Sequence, residues 1–178
     1  MIPVFIGIFY LSDDTMSLHY KHLLSSILFA FAAVTDWLDG YLARSLNQTS
    51  AFGAFLDPVA DKLMVAAALI VLVNLTYVGA LVAFIIIGRE IAISALREWM
   101  AQLGSSKNIA VSMLGKVKTT FQMIAILLLL YHEPIFMIAT HELGTVLIYI
   151  AAVLTLWSMV YYLMLAMPQI MKKTREDN

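Results

Sequence analysis

A chain of 178 residues that is 62% apolar and only 13% charged, with a mean hydropathy of +0.87, lacks the polar residues a water-soluble surface needs; soluble domains carry roughly 45–50% apolar and about 25% charged residues. A formal net charge of −1 offers no basic field for nucleic acid, and zero cysteines exclude disulfides and thiolate metal sites. The apolar excess lies in long runs, which points to one all-α integral membrane domain over 1–171 followed by a polar cytoplasmic tail at 172–178, expected to be frayed.

The first segment, Met1 to Leu11, is apolar but has neither a basic flank nor a small-residue cleavage site, so it is not a signal peptide. It is also short of the roughly 20 residues that span hydrocarbon. It reads as the remaining part of a first helix whose beginning is missing or differently placed. Further hydrophobic stretches fall at about 22–46, 53–75, 79–102, 115–132 and 143–167. Turn residues separate them: Asn47-Gln48-Thr49-Ser50, Asn74 with Gly79, Gly104-Ser105-Ser106, and Glu133-Pro134. The sum is a polytopic bundle of six transmembrane helices with a shortened first one.

Orientation follows from Lys and Arg. Arg44, Lys62, Arg89, Arg97, Lys107, Lys116, Lys118, Lys172, Lys173 and Arg175 fall on one side, and Lys21 alone on the other. That asymmetry puts the C-terminus and the 44–56 and 103–115 connections in the cytoplasm.

The second hydrophobic stretch closes on Thr35-Asp36-Trp37-Leu38-Asp39-Gly40-Tyr41-Leu42-Ala43-Arg44, and the third opens on Gly53-Ala54-Phe55-Leu56-Asp57-Pro58-Val59-Ala60-Asp61-Lys62. At helical offsets of three and four, Asp36, Asp39, Gly40 and Ala43 share one face, and Gly53, Asp57 and Asp61 share another. A short turn makes the two helices antiparallel neighbours, so the carboxylate stripes can face each other. Four carboxylates at a membrane boundary are costly and mutually repulsive. A hard divalent cation, Mg²⁺ or Mn²⁺, relieves both penalties because it prefers oxygen ligands. Gly40, Ala43 and Gly53 leave room for a ligand beside the backbone, and Arg44 offers a fork of donors suited to phosphate.

The pattern Asp36-x2-Asp39-Gly40-x2-Ala43-Arg44-x8-Gly53-x3-Asp57-x3-Asp61 resembles the signature of the CDP-alcohol phosphotransferase family at every fixed position. Arg89-Glu90-Ile91, the stretch from Ser94 to Ala101, Gly115-Lys116-Val117-Lys118 and the stretch from Ala151 to Met159 resemble bacterial members that act on glycerol 3-phosphate. The resemblance implies a six-helix fold, a homodimer among membrane lipids, two metal ions near the cytoplasmic face of the bacterial inner membrane, and CDP-diacylglycerol as substrate. By position it makes Asp36, Asp39 and Asp57 metal ligands, and Asp61 the general base and a further metal contact. It assigns Asp36, Gly40, Ala43, Arg44 and Gly53 to the CDP group. One departure stands out. Members of the family open with an amphipathic segment bearing an Asn-x2-Thr-x2-Arg pattern, and this sequence starts after the point where that segment would end. Either the segment precedes Met1 in a longer chain or the protein lacks it, and in the second case nucleotide affinity and activity are expected to suffer.

A second basic group consists of Arg89, Arg97, Lys116 and Lys118. Arg89 follows seven apolar residues and a glycine, deeper than a loop charge needs to be, and the adjacent Glu90 points off its face, so neutralisation between those two is not expected. Arg89 and Lys116, with Lys118 or Arg97, are candidates to hold the phosphate of sn-glycerol 3-phosphate. His19, His22, His132 and His141 read as scattered interfacial residues, and the tryptophans and tyrosines as interfacial belts. Rival readings are the same chemistry on inositol phosphate or serine, and a cation transporter. A transporter places ion ligands near the midplane of repeated halves, whereas these aspartates sit at helix ends and no repeat is present.

Overall fold

With lipid as solvent, each backbone N–H and C=O must find a partner within its own segment, so a chain this apolar folds as helices. The computed structural model describes the backbone of residues 1–12, 14–45, 51–102, 113–135 and 139–176. Side chains are described among them except at 37, 40, 41, 43, 44, 51–58, 101–102, 113–116, 165–166 and 168–176. The elements are six helices: α1 (Ile2–Tyr10), α2 (Leu18–Ser45), α3 (Ala51–Asn74), α4 (Ala80–Gln102), α5 (Met113–Tyr131) and α6 (Thr140–Glu176). They match the six segments expected from the sequence.

Two boundaries differ. Helix α2 starts before the apolar run, because the polar residues of its first turns have partners: His19 pairs with Glu133, and Lys21 Nζ donates to the Leu11 carbonyl at 2.6 Å. Helix α6 continues to Glu176, through most of the tail expected to fray.

The burial pattern is that of a protein turned outward to lipid. Phe84, Ile70 and Trp157 are 74%, 63% and 69% exposed, while Arg89 is 7% exposed and Lys118 not at all. In water the opposite distribution would be stable; in hydrocarbon, apolar residues face out and charges face in. Among the described residues, one helical segment, Thr140–Met164, is long and apolar enough to cross a bilayer by length and composition alone. Polar and charged residues interrupt α2, α3 and α4, and Lys21, His22, Ser25 and Ser26 of α2 and Arg89 of α4 are buried.

Helix α5 lies against α6, α2 and α3; α4 lies against α6 and α3; α1 covers α2 and α3. The core is built from Phe5, Phe29, Leu69, Leu72, Ile86, Ile126, Leu129, Leu130 and Ile148, with Ala67, Ala68, Ala125 and Ala152 permitting close helix approach. Gly144 shows how close. A β-carbon there would lie 2.9 Å from Leu129 Cγ and 3.2 Å from Leu128 Cβ, so the α5–α6 contact requires glycine.

At the end away from the aspartates, two helices stop on residues of left-handed backbone, Thr76 and His132, both with φ 62°. After α3, Thr76 N–H donates to the Val73 carbonyl (3.0 Å) and Tyr77 N–H to the Leu72 carbonyl (2.9 Å), a Schellman cap in which Thr stands where Gly is usual. After α5, His132 N–H donates to the Leu128 carbonyl at 3.0 Å, the simpler left-handed cap. The two caps hold each other, because the Tyr77 and His132 rings stack with centroids 3.9 Å apart.

His22 and His141 complete this ring cluster, with centroids 5.3 and 4.7 Å from that of His132, and the Tyr77 hydroxyl lies 3.3 Å from His22 Nε2. The histidines are therefore not scattered, as the sequence suggested: the α3–α4 and α5–α6 turns bring three of the four together, and His19 pairs with Glu133 beside them.

This cluster makes stability depend on pH. Burial, and then the neighbouring His141, hold the His132 imidazole below its ordinary range, with Glu133 opposing. A base whose folded-state pKa is depressed is neutral in the fold, and the unfolded chain takes up its proton first. Its contribution is present above the ordinary imidazole pKa of about 6.5 and is lost as pH falls through the lowered value. The apparent Tm of the purified protein is expected to be lower at pH 5.5 than at pH 7.5. That difference should shrink in His132→Asn, since Asn tolerates positive φ but carries no imidazole. An equal pH dependence in both proteins would assign the acid sensitivity elsewhere.

Candidate active site

The C-terminal half of α2 and the N-terminal half of α3 bring carboxylates to one cavity. Asp36, Asp39 and Asp61 line a space of about 320 Å³ whose remaining wall is mostly apolar, including Phe29, Met64, Val65 and Met123, with Met1 and the first residues of α1, Ile2 and Pro3. All three aspartates are exposed. Asp61 lies within electrostatic range of Asp36 across the α2–α3 interface and of Glu90 on α4. Helical spacing explains the placement: Asp36 and Asp39 are three residues apart on α2, and Ala60 beside Asp61 adds no bulk to the cavity wall.

The donor chemistry suits hard divalent cations, since the charged side chains on this wall are carboxylates and Thr35 adds a hydroxyl oxygen. Among the described residues, no three His, Cys, Asp or Glu side chains form a group that could hold a metal ion. The fourth expected ligand, Asp57, has its side chain outside the described set, as do Ala43, Arg44 and Lys116; Gly40 and Gly53 stand on helical backbone.

The basic group is organised differently from the sequence expectation. Arg89 and Glu90 do neutralise each other: Arg89 Nη1 donates to Glu90 Oε1 at 2.9 Å. Adjacent helical positions diverge at Cβ, but the long guanidinium stem bends sideways, and Glu90 is held in place by a second cation. Lys118 Nζ of α5 donates to the same Glu90 oxygen. Arg89 Nη2 donates to Ser158 Oγ of α6 at 2.9 Å, and the guanidinium carbon lies 5.9 Å from the Tyr162 ring centroid. Arg97 is half-buried and within electrostatic range of Lys118. The structure thus brings Arg89, Lys118 and Arg97 into one neighbourhood, which Glu90 connects electrostatically to Asp61.

Ser158 and Tyr162 were not singled out from the sequence, and Glu90 was set aside there as no partner for Arg89. Glu90 carried a usable signal: opposite charges on successive membrane helices are normally partners. Ser158, with Thr155 one turn before it, is a polar pair in the apolar middle of α6.

A family model described as CDP-alcohol phosphatidyltransferase matches residues 1–157. The chain is 50% identical over 168 residues to the CDP-diacylglycerol–glycerol-3-phosphate 3-phosphatidyltransferase of Haemophilus influenzae, covering 93% of this chain and 86% of that protein. Proteins of the same description from Salmonella typhimurium and Pectobacterium atrosepticum are 50% identical over 166 and 165 residues, each covering 92% of this chain and 86% of the relative. The signature aspartates fall within the matched span, and the chain belongs to the CDP-alcohol phosphatidyltransferase family.

Proposed function

We propose that this protein transfers the phosphatidyl group of CDP-diacylglycerol to sn-glycerol 3-phosphate, giving phosphatidylglycerophosphate and CMP for anionic phospholipid synthesis. The relatives at 50% identity carry that description. The observation that carries the proposal is the adjacency of two unlike sites: a carboxylate-lined cavity at Asp36, Asp39 and Asp61, and a basic neighbourhood at Arg89 and Lys118 linked to it through Glu90. A diphosphate donor needs the first, with cations present, and an anionic acceptor needs the second.

The family is divalent-metal dependent. Asp36, Asp39, Asp57 and Asp61 would hold two ions, Mg²⁺ or Mn²⁺, whose chemistry when bound is to neutralise the diphosphate and the departing CMP. Gly40, Ala43, Arg44 and Gly53 lie along the stretch that would receive the CDP group. Asp61 accepts the proton of the acceptor's primary hydroxyl as that oxygen bonds to the lipid-bearing phosphorus and the bond from that phosphorus to CMP breaks. Arg89 and Lys118, with Lys116 and Arg97, hold the acceptor's phosphate so that its hydroxyl meets the reacting phosphorus.

The working state would be a homodimer in the bacterial cytoplasmic membrane with this cavity facing the cytosol. The Lys and Arg asymmetry supports that orientation. The test is CMP release from CDP-diacylglycerol in detergent with a panel of acceptors. Release with glycerol 3-phosphate, and not with inositol phosphate or serine, is expected. Equal release with serine would overturn the acceptor assignment.

A further inference from the structure

Arg89 and Lys118 are buried side by side, with a single carboxylate oxygen set between them. Both donate to Glu90 Oε1, and Lys118 has no exposed surface at all. A buried ammonium and guanidinium side by side repel each other, and neither is tolerable unpaired in a low-dielectric interior. Glu90 removes that difficulty and fixes the cations relative to each other. Arg89 is further pinned by Ser158 Oγ, whose own hydroxyl donates to the Thr155 carbonyl at 2.9 Å. Its Nε is buried and has no hydrogen-bond partner among the described residues, which leaves one donor of the fork for a ligand.

Resting on the acceptor assignment above, we propose that Glu90 is a positioning residue that sets acceptor affinity: its carboxylate holds Arg89 and Lys118 at the spacing that grips the acceptor's phosphate. Charge balance supports this. Arg89, Lys118 and Arg97 outnumber Glu90, so the neighbourhood carries the positive sign an anionic phosphate needs. Removing the carboxylate adds positive charge to the neighbourhood but frees both cations to move apart. The loss of geometry outweighs the added attraction, because phosphate recognition by a fork of donors depends on their placement.

The experiment compares wild type with Glu90→Gln, which keeps the size and a carbonyl oxygen but not the charge. In E90Q the KM for glycerol 3-phosphate is expected to rise about tenfold, while the KM for CDP-diacylglycerol and kcat at saturating acceptor stay within about threefold. A purely structural strap between α4 and α5 would instead lower the active fraction and leave the acceptor KM alone. An unchanged or lowered acceptor KM, or an equal rise in both KM values, overturns the proposal. Should E90Q not fold, Glu90→Asp keeps the charge but retracts it by one methylene. E90D is expected to raise the same KM about threefold, and no change would overturn the proposal. Calorimetric binding of glycerol 3-phosphate to the full chain, without lipid donor, separates this inference from the reaction itself. If wild type released no CMP, the reaction assignment would fail, whereas weaker binding in E90Q would still support Glu90 and equal binding would overturn it.

Discussion

Asp61→Asn is expected to lower kcat for CMP release by about 10³-fold or more, with the protein still folded and still binding nucleotide. General bases contribute roughly 10²–10⁴-fold, and a thousandfold loss corresponds to about 4 kcal/mol of transition-state stabilisation. Asparagine preserves the shape of the side chain and one acceptor oxygen but cannot take up the hydroxyl proton. Asp61 is suited to that task by its position: it is exposed on the cavity wall and within electrostatic range of Glu90, the residue that joins the two cations. The check is a steady-state rate beside a thermal melt and a CDP-binding isotherm for the same preparation. A D61N variant with near-normal kcat would remove Asp61 from the base role.

Chelation of divalent cations should have an effect at least as large. Asp36, Asp39 and Asp61 share one cavity wall, and a diphosphate docked there would bring further negative charge to it. Without a compensating cation, carboxylate and phosphate oxygens face each other in a site bordered by apolar side chains, where like charges repel strongly. The diphosphate would then not seat. CMP release is expected to fall to background, about 10³-fold or more, on adding a chelator, and to return with Mg²⁺ or Mn²⁺. Calcium, larger and less demanding in its geometry, should restore less. Turnover that persists through exhaustive chelation would contradict the assignment of these aspartates to metal.

Much of this architecture was legible in the sequence because bilayer physics leaves few options. Long apolar runs must be helices, and Asn74 with Gly79 or Glu133-Pro134 must end them. The acidic stripes were legible too, since helical offsets of three and four fix which residues share a face. What escaped depends on side-chain reach and on turns. The Cβ direction of Glu90 separates it from Arg89, yet two flexible stems close the gap once Lys118 arrives from α5. The histidines lie far apart in sequence and meet only because two non-glycine caps turn the chain back at the same end of the bundle. The start of α2 was missed for a related reason: Lys21 and His19 look like loop residues until the Leu11 carbonyl and Glu133 are found beside them.

The absence of cysteine makes the cavity directly testable, since a single introduced thiol has no competitor. Ala60 lines the cavity next to Asp61, and Ser12 lies exposed in the α1–α2 connection. The measurement is the rate of maleimide labelling of Ala60→Cys, with Ser12→Cys as control, in the presence and absence of CDP-diacylglycerol with Mg²⁺. Substrate is expected to slow labelling at position 60 by about tenfold and to leave position 12 unaffected. Labelling at position 60 that proceeds at the same rate with saturating CDP-diacylglycerol would mean that the donor docks somewhere other than between the aspartates of α2 and α3.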